Sequence, residues 1–218
     1  VYESCKVRGA KNVYGMLNGI SGLLEKRFVN LSDFLHSGLE IELLKRTPSS
    51  FLGSCRYKLP ELDADSEIYQ TIFNILNELK IEWFFYIGGN DSMDTILKLS
   101  DYGNRIGSNI RFIGVPKTID NDLMLTDHTP GFGSAAKYIA TSLLEIAHDT
   151  YIYAVKSVTI VEIMGRDAGW LAASAALPAL SGGAGPDLVY LPESVFDIEK
   201  FLTDVQKCFD RHPAVLVA

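Results

Sequence analysis

Cysteine is scarce in this chain of 218 residues. It has three cysteines, which is an odd number, at Cys5, Cys55 and Cys208, and none belongs to a Cys-x-x-Cys motif. These spacings argue against a disulfide framework or a structural zinc site, so we expect a reducing, cytoplasmic environment. Long apolar runs are missing too, because none approaches the roughly 20 residues that a membrane-spanning helix needs. We therefore expect no membrane partner.

Blocks of positive charge are also lacking. The formal net charge is −7, and no lysine- or arginine-rich segment stands out. Because affinity for duplex nucleic acid comes largely from neutralised phosphates, we expect no nucleic-acid partner. An anionic small molecule stays compatible with this charge if a few placed cations bind it. The content of 47% hydrophobic and 22% charged residues is ordinary for a folded globular protein and argues against disorder.

Short apolar runs alternate with longer amphipathic segments along the chain. The pattern predicts strands at 83–87, 112–115, 158–163, 188–191 and 214–218, and helices around 68–79, 93–99, 133–147, 168–180 and 198–209. This alternation predicts an α/β fold with a parallel sheet, whose ligands lie beyond the carboxyl ends of the strands. The chain starts at Val1, and its last strand stops without a turn, so we expect a fragment of a longer protein.

Gly88-Gly89-Asn90-Asp91-Ser92 follows the first of these strands and opens a helix. Two glycines allow close backbone approach to a phosphate, and the helix N-terminus adds amide donors and a positive dipole. The alternative is a plain glycine turn in which Asp91 or Ser92 caps the helix.

Pro116-Lys117-Thr118-Ile119-Asp120-Asn121-Asp122 follows the next strand. Phosphoryl transfer needs one carboxylate that accepts the proton of the attacking hydroxyl and another that holds Mg²⁺. Lys117 and Thr118 could contact phosphate oxygens. An Asx-turn in a solvated loop is the alternative interpretation.

Two arginines follow small-residue turns. Met164-Gly165-Arg166 ends a third predicted strand, where a guanidinium could bind phosphate or carboxylate, or pair with Asp167 or Glu162. Gly53-Ser54-Cys55-Arg56 presents an arginine that could equally be an ordinary surface residue. Gly131-Phe132-Gly133-Ser134 opens a helix and could offer amides to an anion, or could simply be a capped helix start. The four histidines show no metal-binding spacing.

Taken together and in this order, the motifs resemble the phosphofructokinase family. The resemblance runs from about Leu17 to the end of the chain and includes Val189-Tyr-Leu-Pro-Glu193. It implies a Rossmann-like parallel-sheet fold of two α/β domains, incomplete at both ends. Residues 1–132 would form a donor-binding domain without its start, and residues 133–218 a sugar-phosphate-binding domain without its end.

The resemblance also implies an activity and residue roles. The reaction would be phosphoryl transfer to the C1 hydroxyl of fructose 6-phosphate in glycolysis, with Mg²⁺, by a homo-oligomer. Asp120 would be the base, with Lys117 and Thr118 at the transferring group. The sugar phosphate would bind at Thr118, Met164, Gly165 and Arg166, the donor at Arg56, Gly88, Gly89, Asp91 and Ser92, and the metal at Asp122 and Asn90.

Two positions predict the donor within this resemblance. Pyrophosphate users in the family read Gly-Gly-Asp-Asp and Pro-Lys-Thr-Ile-Asp, and Asp91 and Lys117 match that pattern. Asn90 departs from it, because most members have a metal-linked aspartate there. Ser157 lies where many members have an arginine. ATP as donor, and a non-catalytic sugar-phosphate-binding regulatory subunit, therefore stay open as alternatives.

Overall fold

Hydrophobic strands pair in parallel at two places along the chain. The computed structural model describes residues 1–63 and 66–218. Their contacts divide the chain into two units, Val1–Pro116 and Lys117–Ala218. The assignment of a donor-binding domain at 1–132 and a sugar-phosphate domain at 133–218 stays a prediction.

The first unit begins with short elements that the apolar pattern did not predict. Its described elements are helix α1 (Tyr2–Val7), strand β1 (Tyr14–Met16), helix α2 (Gly19–Leu24), strand β2 (Phe28–Asn30), a 3₁₀ turn (Leu31–Asp33), helices α3 (Gly38–Arg46) and α4 (Ser66–Glu78), strand β3 (Trp83–Gly88), helix α5 (Asn90–Arg105) and strand β4 (Arg111–Pro116). β1 and β2 form an antiparallel pair, whereas β3 and β4 are parallel and in register from Trp83↔Arg111 to Gly88↔Pro116.

The core of the first unit lies on one face of the β3–β4 pair. Tyr69, Ile72, Phe73 and Leu76 of α4 are buried there, together with Phe84 of β3. The opposite face of β3 is not buried as the sequence predicted, because Trp83 is 47% and Ile87 56% exposed. Alternate residues of a strand point to opposite faces, so only one face is covered within this unit.

The second unit contains helix α6 (Phe132–Thr150), strand β5 (Ser157–Ile160), helices α7 (Trp170–Ser174), α8 (Leu177–Leu180) and α9 (Ile198–Phe209), and strand β6 (Ala214–Val217). β5 and β6 are parallel. Every residue of β6 is buried. Leu216 packs with α6, while Val215 and Val217 pack with α9. These contacts make β6 the centre of this unit.

Three predicted elements of the second unit differ in the structure. The strand predicted at 158–163 ends at Ile160, although one further ladder bond joins Val161 N to Val217 O. The helix predicted at 168–180 is split in two, because Pro178 has no N–H to continue the first helix. The strand predicted at 188–191 is a single bridge, from Leu188 to Val217.

Candidate functional site

The turn after β3 is built around two glycines. Gly88 ends the strand, and Gly89 is the N-cap of α5 with no side-chain cap among the described residues. The alternative in which Asp91 or Ser92 caps this helix is therefore wrong. A Cβ on Gly88 would lie 2.1 Å from Ser92 Oγ, so glycine is what lets this hydroxyl fold back over the turn. The first turn of α5 can present its amides to an anion.

Asp91 lies in this first turn and has a cationic neighbour. Lys58 Nζ is 3.4 Å from Asp91 Oδ1, and both side chains are 78% exposed. A carboxylate in the first turn is also favoured by the helix dipole. Lys58 was not singled out from the sequence. Its position two residues after Arg56 could have indicated it, because alternate residues of an extended segment lie on the same face.

The segment that carries Arg56 is anchored on its carboxyl side. Leu59 is 3% exposed and lies in the core. Lys98 Nζ donates to Leu59 O at 3.2 Å and pairs with Glu61 at 2.8 Å and Asp94 at 3.0 Å. The hydrogen bond to Glu61, followed by that to Asp94, raises the pKa of Lys98. Arg56 itself is exposed, so a fixed backbone presents a solvent-accessible guanidinium.

Cys55 anchors the amino side of the same segment. Burial opposes ionisation of its thiol, but hydrogen bonds with Ser21 and Ile20 outweigh this effect and lower the Cys55 pKa. Burial, and next the proximity of Cys55, raise the pKa of Tyr86 to about 12. A Cβ on Gly19 would meet both the Cys55 sulfur, at 3.1 Å, and the Tyr86 hydroxyl, at 3.2 Å. Packing on both sides thus fixes the Arg56 backbone.

The loop between β4 and α6 holds the carboxylate predicted as the base. Asp120 N donates to Thr118 Oγ1 at 3.1 Å, and Thr129 Oγ1 donates to Thr118 O at 2.6 Å. Asn121 is 7% exposed, so this is not the solvated Asx-turn of the alternative interpretation. Asp120 Oδ1 is buried and has no hydrogen-bond partner among the described residues. Such an atom is an acceptor ready for a donor from outside the chain.

The cation and carboxylate that flank this loop motif are exposed. Lys117 directly follows β4, and both Lys117 and Asp122 are open to solvent. Asn90, the other predicted metal ligand, is the first residue of α5 and is also exposed. Within residues 1–63 and 66–218, no three His, Cys, Asp or Glu side chains are grouped as a metal site.

Met164-Gly165-Arg166 follows β5 as an irregular turn. Gly165 has φ +137°, and a Cβ there would lie 2.4 Å from Ala168 O. Arg166 Nε is 3.0 Å from Asp167 Oδ2, with side chains 92% and 79% exposed. The pairing expected as the alternative does form, but an ion pair so exposed contributes at most about 1 kcal/mol. It leaves the guanidinium accessible to a ligand.

In the described part of the chain, no helix is both long and apolar enough to cross a bilayer.

Two curated relatives match most of this chain. A pyrophosphate–fructose 6-phosphate 1-phosphotransferase of Rhodospirillum rubrum is 41% identical over 100% of the chain and 52% of its own length. One of the same name from Xanthomonas campestris is 45% identical over 89% of the chain and 46% of its own length. The chain thus spans about half the length of these relatives.

A solved structure gives the same result. The crystal structure of a pyrophosphate-dependent phosphofructokinase from Nitrosospira multiformis superimposes with a TM-score of 0.87 at 38% identity, covering 100% of this chain and 54% of that one. It establishes the phosphofructokinase fold that the motifs predicted. The family model for phosphofructokinase matches residues 1–218. The chain belongs to the phosphofructokinase family.

Proposed function

We propose that the full-length protein transfers a phosphoryl group from pyrophosphate to the C1 hydroxyl of fructose 6-phosphate. The C1 oxygen forms a bond to phosphorus, the bridging P–O bond of pyrophosphate breaks, and inorganic phosphate leaves. The hydroxyl proton moves to Asp120. The products are fructose 1,6-bisphosphate and phosphate. Support comes from the two curated relatives named for this reaction and from the motifs shared with the family.

The observation that carries the proposal is the buried Asp120 Oδ1, which has no hydrogen-bond partner within residues 1–63 and 66–218. A general base must lie within hydrogen-bond reach of the proton it accepts. An acceptor held away from water costs free energy unless a donor reaches it. The C1 hydroxyl of a bound sugar phosphate is such a donor, and Thr118 Oγ1 accepts from Asp120 N in the same loop.

The other residues divide between donor and sugar. Gly88, Gly89 and Ser92 offer amides and a hydroxyl to the donor phosphates, Asp91 limits the space for a nucleotide, and Arg56 and Lys117 supply positive charge. Met164, Gly165 and Arg166 bind the sugar phosphate. Positive charge at Arg56, Lys117 and Arg166 suits these anionic ligands despite the net charge of −7.

Mg²⁺ is the cofactor that this reaction requires. Asp122 and Asn90 are the residues that would hold it. The exposed Asp122 carboxylate and Asn90 amide fit by their chemistry, because Mg²⁺ prefers oxygen ligands. The ion would neutralise charge that develops on the transferred phosphoryl group.

ATP is the second candidate donor, because Asn90 replaces the aspartate usual at that position. Sequence reasoning also left open a regulatory subunit without catalysis, on the basis of Asn90 and Ser157. The buried Asp120 Oδ1 favours the enzyme, since a binding subunit has little use for a base.

The proposed function is tested in the full-length protein. Purified protein should form fructose 1,6-bisphosphate from fructose 6-phosphate, pyrophosphate and Mg²⁺. Asp120→Asn should lower kcat by on the order of 10²–10⁴ while fructose 6-phosphate binding, measured by calorimetry, stays within about twofold. A variant within about tenfold of wild-type kcat would remove Asp120 from the role of base, and no product with either donor would refute the enzyme.

A further inference from the structure

We propose that Asn121 and Thr129 form a clamp that positions Asp120 for proton transfer. The proposal rests on the proposed function for its kinetic consequence, but its structural content does not depend on which reaction the protein catalyses. The clamp lies wholly in the loop from Lys117 to Gly131, within the second unit. Neither residue was assigned a role from the sequence.

Asn121 uses both ends of its side-chain amide. Its Oδ1 accepts from Thr129 N at 2.9 Å, and its Nδ2 donates to Asp127 O at 3.1 Å. The backbone N–H of Thr129 needs an acceptor and the carbonyl of Asp127 needs a donor, so the orientation of the Asn121 amide is fixed. An aspartate at this position would set a second oxygen against the Asp127 carbonyl. The site therefore requires an amide.

Thr129 extends the clamp to the residue that holds Asp120. Its hydroxyl donates to Thr118 O at 2.6 Å, and the side chain of Thr118 accepts from Asp120 N at 3.1 Å. A continuous path thus runs from Asn121 through Thr129 and Thr118 to the Asp120 backbone. Thr129 is 3% exposed and Asn121 7% exposed, so water does not compete easily for these bonds.

The backbone at Asn121 explains why a specific residue is needed. Its φ is +59°, in the left-handed region that asparagine and glycine adopt most readily. This turn separates the Asp120 and Asp122 side chains, and the clamp stabilises it. Without the clamp, the buried Asp120 Oδ1 would be free to turn toward solvent.

A misplaced base still binds substrate but transfers protons poorly, because displacement by about 1 Å can cost on the order of 10² in rate. The clamp contacts no reacting atom. Loss of the clamp should therefore lower kcat and leave KM for fructose 6-phosphate nearly unchanged. A residue that merely supports folding would instead reduce the amount of active enzyme without selective loosening at Asp120.

The test compares three variants of the full-length protein. Asn121→Gly removes the amide but keeps the left-handed backbone accessible. Thr129→Val removes only the hydroxyl donor, and Thr129→Ser is the matched control that keeps it. Hydrogen exchange measured by mass spectrometry shows directly whether the backbone of peptides covering 117–131 is held by the clamp. Steady-state kinetics measure the effect of the clamp on kcat and KM.

We expect faster exchange confined to 117–131 in Asn121→Gly and Thr129→Val, with Thr129→Ser like wild type. We expect kcat to fall about 10- to 100-fold in the first two variants, with KM within about twofold and rescue in Thr129→Ser. Unchanged exchange in this loop, or kcat within about twofold of wild type in both variants, overturns the clamp. If wild type forms no product, the proposed function fails, and the exchange pattern alone decides whether the clamp exists.

Discussion

Lys58 Nζ lies 3.4 Å from Asp91 Oδ1 at the amino end of α5. Asp91, a predicted donor-binding residue, thus forms an ion pair with a lysine from a different segment. Because both side chains are 78% exposed, the pair is worth only about 0–1 kcal/mol. Lys58 can therefore leave Asp91 for a more highly charged ligand at little cost.

The first prediction concerns this lysine. Lys58→Met in the full-length protein should raise KM for pyrophosphate about tenfold, because a hydrogen bond to a charged group contributes roughly 1.5–3 kcal/mol. KM for fructose 6-phosphate should change by less than about twofold. The measurement is steady-state kinetics with each substrate varied in turn.

Lys45→Met is the matched control for Lys58→Met. Lys45 is also an exposed lysine paired with carboxylates, at 2.9 Å from Glu42 and 3.4 Å from Glu3, but it lies in α3. The Lys45→Met substitution should leave KM for pyrophosphate and KM for fructose 6-phosphate unchanged. Equal effects of the two substitutions would mean that only overall charge matters, and Lys58 would have no role at the donor.

Elements with a clear local signal were predictable from the sequence. α9 was predicted at 198–209 and spans Ile198–Phe209. Asp197 caps it by accepting from Glu199 N and Lys200 N, which is a strong start signal. β3 and β4 were found because their apolar runs are continuous. The break between α7 and α8 was not predicted, although Pro178 within the alanine-rich run is a local signal for it.

Contacts between distant residues could not be predicted in this way. The Lys58–Asp91 pair joins residues 33 positions apart, and no local pattern encodes such a pair. The Asn121–Thr129 hydrogen bond joins residues closer together in the sequence, but it depends on a loop residue with a left-handed backbone conformation. Motif order identified the candidate site, whereas the bonds that hold its residues required the structure.

The second prediction concerns a buried carboxylate outside the candidate site. Asp187 accepts from Tyr151 Oη at 2.9 Å and from Leu216 N at 3.0 Å, and its Oδ1 lies 2.8 Å from His212 Nε2. Burial, followed by the hydrogen bond to Asp187, raises the pKa of Tyr151. Asp187→Ala should lower the free energy of unfolding by about 3 kcal/mol, because it strands several buried donors.

Two tyrosine variants are the controls for the hydrogen bonds around Asp187, one inside this group of residues and one outside it. Tyr151→Phe removes one donor and should cost about 1 kcal/mol. Tyr153→Phe changes a side chain that is 56% exposed and should cost nothing measurable. Urea unfolding followed by circular dichroism measures all three. If Asp187→Ala unfolds with the wild-type midpoint, the cluster contributes no stability.

The third prediction concerns Gly165 in the turn before Arg166. Gly165→Ala forces a Cβ to within 2.4 Å of Ala168 O at φ +137°, so the turn must shift. We expect a loss of about 1–3 kcal/mol in stability and a KM for fructose 6-phosphate raised severalfold, because Arg166 moves with the turn.

Gly133→Ala is the control for Gly165→Ala. Gly133 lies in the first turn of α6, and a Cβ there meets nothing within 4 Å. Alanine should stabilise this helix by up to about 1 kcal/mol and leave KM unchanged. Thermal unfolding and kinetics of both variants give the comparison. Equal melting temperatures for the two variants would contradict the strain argument.

The last prediction concerns the choice of donor and separates volume from charge at position 91. Two unit charges about 4 Å apart repel by roughly 1 kcal/mol in water and about 4 kcal/mol at an effective dielectric near 20. The 78% exposure of Asp91 and its pairing with Lys58 favour the lower figure. We therefore expect the volume of the side chain to exclude a nucleotide more strongly than its charge does.

Asp91→Gly should admit ATP as a modest donor, while Asp91→Asn, which keeps the volume and removes the charge, should admit much less. Lys117→Gly should lower turnover with pyrophosphate, because a small polyanion has no adenosine to anchor it and depends on local cations. The measurement is kcat/KM with each donor for wild type and the three variants. Equal ATP use by Asp91→Asn and Asp91→Gly would show that charge, not volume, excludes the nucleotide. A wild-type enzyme that prefers ATP by about tenfold or more would refute the pyrophosphate assignment and make Asn90 the residue that indicates the donor.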